Sequence, residues 1–309
     1  MNKIMKRLII KAVSVVCFIA ALGFASPADA KQRDVTPGTF TGIDVSDNFI
    51  VTVSRGTSFS VTLNVDDALD DYVTCHVRNQ VLILALDEKK VPKDIKANYK
   101  GKNGFSPVLN AYVTVPDYIQ SVTVSGKATF SDFGDVLGGV SVNVSVSDQG
   151  TIKHMAIANS QTVSIKTENR SNAVISVEAE SVILDQGGSS VVDLTQTSTT
   201  CEISVLGSGS LVVRGDCGEL KYSAKGGVKT ILNGSALKAI YNCSGSTNTN
   251  ASNLRCEEAA VTMNGICSLS EAASQKLSIN MSGSSSLTFA GEPVITIENI
   301  KSSTVTRAQ

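Results

Sequence analysis

The stretch VTVSGKATF at residues 122–130 combines a short run of alternating apolar and polar residues, a Ser-Gly break and the start of a second run. Nearly the same phrase returns as ISVLGSGSLVV at 203–213 and as INMSGSSSLTF at 279–289. Strict alternation over a few residues is typical of a half-buried β-strand, and Gly or Ser clusters mark turns. The sequence therefore predicts many short strands joined at tight corners.

The phrase belongs to a repeat of about 19 residues, which is the scale of one solenoid coil. Apolar members of each run face one side of the strand, and Ser and Thr members face the other. We expect the following side chains to stack as an apolar interior: Val122, Val124, Val142, Val144, Val146, Val163, Ile165, Ile203, Val205, Leu277, Ile279 and Met281. Glycines suit corners with positive φ. The sequence predicts an all-β fold, a right-handed parallel β-helix in which stacked coils stabilise one another.

A different pattern precedes the repeat. We expect residues 38–115 to form an N-terminal β region that caps or starts the solenoid, residues 116–300 to form the β-helix, and residues 301–309 to form a C-terminal tail. Residues 66–75 predict a turn or a single helical turn. The charged stretch 87–104 predicts a solvated loop.

The first thirty residues have the three parts of a secretory signal peptide. A basic start is followed by an apolar run at 12–24 and by Ala28-Asp29-Ala30, a small-x-small cleavage site. Thirteen apolar residues span only about 20 Å as a helix, short of the ~30 Å hydrocarbon core of a bilayer. We therefore expect cleavage before Lys31, a linker at 31–37, and an exported chain with no integral membrane segment after cleavage. Its location is the outer cell surface or the periplasm, or the chain is secreted.

Charge and cysteine content limit the classes of partner and cofactor. The first thirty residues hold four Lys or Arg and one Asp, so the remainder has 23 basic and 27 acidic residues and a charge of -4. This weakly acidic chain gives no electrostatic basis for binding nucleic acid. The cysteines after residue 30 match no zinc-binding spacing, and we expect free core thiols rather than disulfides. They are Cys75, Cys201, Cys217, Cys243, Cys256 and Cys267.

Three passages carry a resemblance to a known family. FTGIDVSDNFIVTVSRG at 40–56, NQVLILAL at 79–86 and AYVTVPDYIQSVTVSGKATF at 111–130 resemble the signature of the putative auto-transporter adhesin, head GIN domain family. The resemblance covers roughly residues 38–290 and implies an exported β-helical protein of Gram-negative, gut-type bacteria. It implies adhesion, but it supplies no catalytic or binding residues. The last residues leave no room for a membrane barrel, so we expect a passenger-type module without its own transporter.

Right-handed β-helices also include polysaccharide lyases and hydrolases, so an enzyme is the main alternative. Asp148 in SDQG and Asp185 in LDQGG are the candidate carboxylates, placed by their neighbours at comparable turns two rows apart. Two coils would separate them by about 10 Å, near the upper limit for an inverting glycosidase. Aspartate before glycine is also an ordinary turn residue, and this interpretation is favoured.

The two histidines are weak candidates for a catalytic base. His154 lies in TIKHMAIA without a nucleophile motif, and we expect it to be a partly exposed strand or loop residue. His76 follows Cys75, but adjacent residues on a strand point to opposite faces, which argues against a dyad.

Other polar motifs have a structural and a functional interpretation. GSGS at 207–210 and SGSSS at 282–286 resemble phosphate loops but lack the helix and Lys of a P-loop, so we expect β-corners. DDALDD at 66–71 departs from the calcium-loop order and predicts a solvated turn. Asparagines are expected to form hydrogen-bonded ladders at turns, with glycan binding as the alternative: Asn242, Asn248, Asn250, Asn253, Asn264 and Asn280. Four tyrosines leave sugar stacking open: Tyr112, Tyr118, Tyr222 and Tyr241.

Together these patterns predict a non-catalytic, adhesin-like cell-envelope module that displays a polar β-helix face to a protein or glycan partner. The sequence assigns no catalytic residue, metal site or cofactor, and the binding residues stay unknown. The alternatives are a carbohydrate-active β-helix enzyme and a self-associating structural envelope protein.

Overall fold

The computed structural model describes residues 30–101 and 104–308. The predicted signal peptide lies almost entirely outside the described residues. The elements of the N-terminal region are β1 (Ala30–Val35), β2 (Gly42–Val45), β3 (Phe49–Arg55), β4 (Ser60–Asp66), α1 (Asp67–Asp70), β5 (Val73–Arg78), β6 (Val81–Leu86), α2 (Lys93–Asn98), β7 (Lys100–Gly101), β8 (Gly104–Phe105) and β9 (Leu109–Val115). The following elements are β10 (Ser121–Val124), β11 (Thr129–Phe133), β12 (Leu137–Val146), β13 (Thr151–Thr167), β14 (Asn172–Gly188), β15 (Val191–Gly207), β16 (Ser210–Gly226), β17 (Lys229–Gly245), β18 (Asn248–Gly265), β19 (Ser268–Gly283), β20 (Ser286–Ala290), β21 (Val294–Ile300) and β22 (Thr304–Arg307).

The strands form a β-solenoid of about 10 turns with roughly 19 residues per coil. Strands β12 to β19 are in parallel register from one coil to the next. Ala173 pairs with Val192, Val192 with Leu211, and Leu211 with Thr230, each 19 positions further along. The all-β solenoid and its repeat length are therefore confirmed, while its right-handed turn stays a prediction.

The coils build three parallel sheets around one core. The first sheet contains β6, β2, β10 and the later halves of the long strands, and it ends at β21. The second contains β9, β3, β11 and the earlier halves, and it ends at β20 and β22. The third contains the segments between them, where Ile157, Val177 and Gln196 align. All twelve apolar residues expected in the interior are buried, as alternation predicts.

One corner of the solenoid, between the first and second sheets, is a column of residues with positive φ. We call it the corner column, and its members are Asp47, Gly126, Asp148, Asn169, Gly188, Gly207, Gly226, Gly245, Gly265 and Gly283. After eight of these ten corners, the next residue donates its backbone N–H to the corner carbonyl of the preceding coil, as Ser208 does to Gly188 at 2.8 Å. Glycine, Asn and Asp tolerate this conformation best. The prediction of positive-φ corners is confirmed, including those at GSGS and SGSSS.

The N-terminal region combines parallel strands that continue the stack with antiparallel strands beyond them. Strands β2 and β3 lie in the stack between β10 and β11 on one side and β6 and β9 on the other. Beyond them, β5 pairs antiparallel with β6, and β4 pairs antiparallel with both β9 and β1. Leu69 of α1 is fully buried. Antiparallel strands and a helix close this end of the core.

Three segments differ from the expected organisation. The predicted linker contains β1, which pairs with β4 along its whole length. The predicted loop at 87–104 contains α2, because Pro92 fixes an extended residue at a helix start and the charges that follow tolerate a short solvated helix. The predicted tail contains β22, which extends the second sheet by pairing with β20. Of the two alternatives expected within 66–75, a turn or a single helical turn, the structure has the helical turn, α1.

All six described cysteines are free thiols, as expected. Cys201, Cys243, Cys256 and Cys267 are buried in the core. No helix within the described ranges is long and apolar enough to cross a membrane.

Candidate functional site

The most distinctive exposed surface lies on the N-terminal coils and consists of Arg55, Tyr118, Phe133 and His154. We call it the ring surface. Arg55 ends β3, Phe133 ends β11 and His154 lies in β13, while Tyr118 lies between β9 and β10. These residues are neighbours because β11 pairs with β3 on one side and with β13 on the other. Phe133 is 59% exposed and Tyr118 is 43% exposed.

Arg55 fixes one half of the ring surface. Its guanidinium carbon lies 4.5 Å from the centre of the Tyr118 ring, which is a cation–π contact. The same guanidinium donates to the carbonyl of Pro116 at 3.0 Å and to that of Asp135 at 2.6 Å. Arg55 therefore holds the segments that carry Tyr118 and Phe133 at fixed positions.

His154 fixes the other half. Its imidazole stacks on the Phe133 ring with centroids 6.2 Å apart and planes inclined by 11°. A shift in register between Phe130 and Ser131 brings His154 beside Ser131 on the neighbouring strand. Both stacked rings are exposed, so together they present an aromatic surface to solvent.

A buried carboxylate orients this imidazole. Asp132 is 1% exposed, and its Oδ1 lies 3.0 Å from Nδ1 of His154. The backbone N–H of Ala156 donates to both carboxylate oxygens, at 3.2 and 3.1 Å. Burial raises the pKa of the Asp132 carboxyl, and the hydrogen bonds from Ala156 and His154 oppose that rise. With Nδ1 held by two acceptor oxygens of Asp132, Nε2 is left free to accept a hydrogen bond from a partner.

The Asp132–His154 pair resembles two members of a hydrolase triad, but the third member is missing from the described part of the chain. No Ser, Thr or Cys side chain at residues 30–101 or 104–308 hydrogen-bonds to His154. General-base catalysis needs the nucleophile within hydrogen-bond reach of the base.

The two candidate carboxylates of the enzyme alternative do not occupy comparable turns. Asp148 is a corner-column residue with φ of 59°, and its Oδ1 accepts from the side-chain amide of Asn169 at 3.2 Å. Asp185 lies within β14, opposite Lys166 and Ser204 and three residues before the corner at Gly188. The DQG sequence shared by the two segments suggested that Asp148 and Asp185 are equivalent. Asp148 is itself the corner residue, whereas the corner lies three residues after Asp185. That prediction is wrong.

The structure separates the four tyrosines into two pairs. Tyr222 and Tyr241 are fully buried, whereas Tyr112 and Tyr118 are exposed. The hydroxyl of Tyr222 donates to Oγ1 of Thr230 at 2.6 Å within the core. Only the exposed pair can contact a partner.

The remaining candidates are His76, the acidic cluster at 66–71 and the asparagines. His76 is exposed on β5 beside half-buried Cys75. Asp66 caps α1 by accepting from the N–H of Ala68 at 2.9 Å, and Asp70 pairs with Arg33. The predicted asparagine ladder is wrong, because within the described ranges no two of these side chains hydrogen-bond to each other; Asn250 accepts from Ser252 and Asn280 donates to Glu298.

Sequence reasoning identified His154 and Tyr118 separately but missed the ring surface. Its four members are spread over a hundred positions, and alternation alone places Phe133 no differently from any other exposed strand residue. The only local signal is FSDFGD at 130–135, where two aromatic residues flank a buried aspartate.

These observations define the chain as an all-β solenoid protein with a preorganised aromatic surface near its capped end. The chain belongs to the putative auto-transporter adhesin, head GIN domain family, whose model matches residues 39–200 and 180–293. The resemblance inferred from the sequence is thus confirmed. No curated protein matches the chain.

Solved structures with a similar course of the chain include three from the genus Parabacteroides. A putative lipid binding protein from Parabacteroides distasonis ATCC 8503 is 13% identical with a TM-score of 0.49, and a putative adhesin from the same strain is 14% identical with a TM-score of 0.45. A putative adhesin from Parabacteroides merdae ATCC 43184 is 12% identical with a TM-score of 0.46. Each match covers 92% of this chain and 98% of the other. At these sequence identities and TM-scores, the structural similarity adds no support to the family assignment.

Proposed function

We propose that this protein is a non-catalytic, exported adhesin-like module that binds a protein or glycan partner through the ring surface. Family membership supports the adhesin-like role. The observation that carries the proposal is the pair of exposed rings, Phe133 and Tyr118, each held by a charged or polar neighbour. Exposed aromatic and Arg side chains supply most of the energy in many interfaces. Because the rings are already fixed, binding orders few side chains.

The ring surface is tested with the double variant Phe133→Ala, Tyr118→Ala. Purified protein is applied to arrays of glycans and to immobilised matrix proteins, and Ile231→Ala serves as the control because Ile231 is an exposed apolar residue on a distant coil. We expect the double variant to lose at least 10-fold in affinity for any ligand that the parent protein binds. Unchanged binding by a folded double variant contradicts the proposal.

The cellular location is a separate part of the proposal. We propose cleavage of residues 1–30 and export to the outer surface or periplasm, which the family assignment supports at the level of export. Protease treatment of intact cells, followed by detection of fragments from 121–290, distinguishes the two sites. Release without lysis supports a surface adhesin, and protection until lysis supports a periplasmic interaction module.

Self-association is a second candidate function, favoured by the C-terminal end of the solenoid. Ile295, Ile297 and Ile300 align with the buried Leu277, Ile279 and Met281 of the coil below, yet they are 42%, 59% and 38% exposed. They form the top layer of the core with no described coil above it. Light scattering over a range of concentrations tests this candidate: association that Ile297→Lys abolishes supports it, and a monomer at all concentrations contradicts it.

A further inference from the structure

A recess on the third sheet near the C-terminal end arises from unequal coil lengths. Asn248 pairs with Lys229, 19 positions earlier, and with Ser268, 20 positions later, whereas Ser268 pairs with Ser286 after only 18. Between β18 and β19 the offset falls from 20 at Asn250–Ser270 to 17 at Arg255–Ala272, so β19 has fewer residues than β18 along this part of the coil. Where a longer coil is followed by a shorter one, the outer surface of the solenoid is set back toward its axis. The cavity has a volume of about 510 Å³, within the range of small-molecule sites.

Small side chains form the floor of the recess. Ala236, Ala273 and Cys256 lie there and are 6%, 2% and 4% exposed. Leu237, which is 62% exposed, stands at the edge. Burial raises the pKa of the Cys256 thiol to about 12, so this group is uncharged at neutral pH. The floor is apolar and neutral, and it can accept a short hydrocarbon group.

One unpaired cation lines the recess. Arg255 is exposed, and no carboxylate in the described ranges lies within ion-pair distance of its guanidinium. The acids around it already have polar partners, since Asp216 accepts from Ser235 at 2.6 Å and Glu257 accepts from Gln275 at 3.0 Å. A guanidinium without a partner is well suited to bidentate binding of a carboxylate.

We propose that this recess binds a small monocarboxylate with a short unbranched apolar chain. The carboxylate pairs with Arg255, and the chain lies over the floor formed by Ala236, Cys256 and Ala273. The apolar floor favours the chain, and the guanidinium of Arg255 favours a carboxylate over an uncharged head group, while Glu257, which also lines the recess, accepts from Gln275 instead. This site is independent of the ring surface, which lies on the opposite part of the solenoid, so either can fail without the other.

The test uses two probes of equal length, hexanoate and uncharged hexanamide, titrated into the full chain by calorimetry. We expect hexanoate to bind at least 10-fold more tightly than hexanamide, and Arg255→Gln to remove that preference. Arg214→Gln is the matched control, because Arg214 is an exposed arginine of β16 outside the recess and is already paired with Asp193. It should leave the binding of both probes unchanged.

A second variant tests the cavity itself. Ala272 is half-buried in the wall, and Ala272→Leu should fill the recess and abolish binding of both probes while leaving Arg255 in place. Three results would each overturn the proposal: no hexanoate binding by the parent chain, equal affinity for the two probes, or binding that Arg255→Gln and Ala272→Leu leave unchanged.

Discussion

Glu271 is the most unusual single residue of the core. It is 1% exposed, and its Oε1 has no hydrogen-bond partner among the described residues, while Oε2 lies 3.9 Å from Sγ of Cys256. The nearby Tyr241 hydroxyl also has no partner there. Burial raises the pKa of Glu271 from 4.5 to about 7, and the thiol of Cys256 opposes the rise slightly. A buried acid with a raised pKa destabilises the folded state once it ionises.

We expect Glu271→Gln to remove a pH dependence of stability. The folded state binds the Glu271 proton more tightly than the unfolded state does, so the parent protein should lose stability as the pH rises from about 4.5 to about 7. The loss is about 3 kcal/mol at roughly 1.4 kcal/mol per pH unit, and it persists above pH 7. Urea unfolding at pH 4, 6 and 8 measures it. The variant should be more stable than the parent at pH 8 but not at pH 4.

Glu202→Gln is the control for this experiment, because Glu202 is an exposed acid on β15. It should retain the pH dependence of the parent. If Glu271→Gln and the parent lose equal stability between pH 4 and pH 8, Glu271 is not the titrating group.

At the scale of elements, the corner column limits which residues the chain can carry. Gly207 has φ of 131°, and a Cβ at this position would lie 2.2 Å from the carbonyl oxygen of Gly188 in the coil below. Neighbouring coils therefore approach each other at the corner more closely than a side chain allows. The corner therefore restricts both the φ that its residue must adopt and the volume available to a side chain there.

We expect Gly207→Ala to destabilise the protein by about 2–4 kcal/mol, from the cost of the backbone conformation and from displacement of the neighbouring coil. Gly227→Ala is the matched control, because Gly227 has no positive φ and nothing within 4 Å of an added Cβ. Urea midpoints of both variants measure the effect. Equal midpoints would show that the coils separate at the corner without cost.

Alternation was sufficient to predict which strand residues are buried, because the period of two depends only on the local backbone. The residues of a turn did not place every corner, since they do not by themselves determine which of them adopts positive φ. Asp185 shows this: its phrase matches that of Asp148, but Gly188 is the residue with positive φ. Helix α2 was missed because six residues are too few for helical periodicity to show.

The whole molecule has two unlike ends. The N-terminal end is closed by antiparallel strands and by α1. At the other end, every residue of β21 is exposed, and among the described residues the strand pairs along one edge only, with β19. Local stability should therefore fall toward the C-terminal end.

Hydrogen exchange should reveal this difference directly. We expect backbone amides of β21 to exchange about 100-fold faster than those of β15, which has a paired neighbour on both sides. Exchange measured residue by residue by NMR at two protein concentrations is the test. Protection of β21 equal to that of β15 at low concentration contradicts the expectation, and protection that grows with concentration supports association through this end.

The candidate sites were less predictable from the sequence than the fold, because each site is formed by residues that lie far apart in the chain. The ring surface joins residues from four separate segments, and the recess depends on coils of 20 and 18 residues meeting. Neither feature belongs to one stretch of sequence. Only the stacking order brings Arg55 beside Tyr118, or exposes Arg255 beside small side chains.

The uniform 19-residue register between β14 and β17 makes these coils equivalent along the axis. A 19-residue unit inserted or deleted there preserves every pairing above and below it. Each such change moves the ring surface and the C-terminal end apart or together by about 4.8 Å, the spacing of neighbouring strands. The number of coils in the middle of the molecule therefore sets the distance between the ring surface and the C-terminal end.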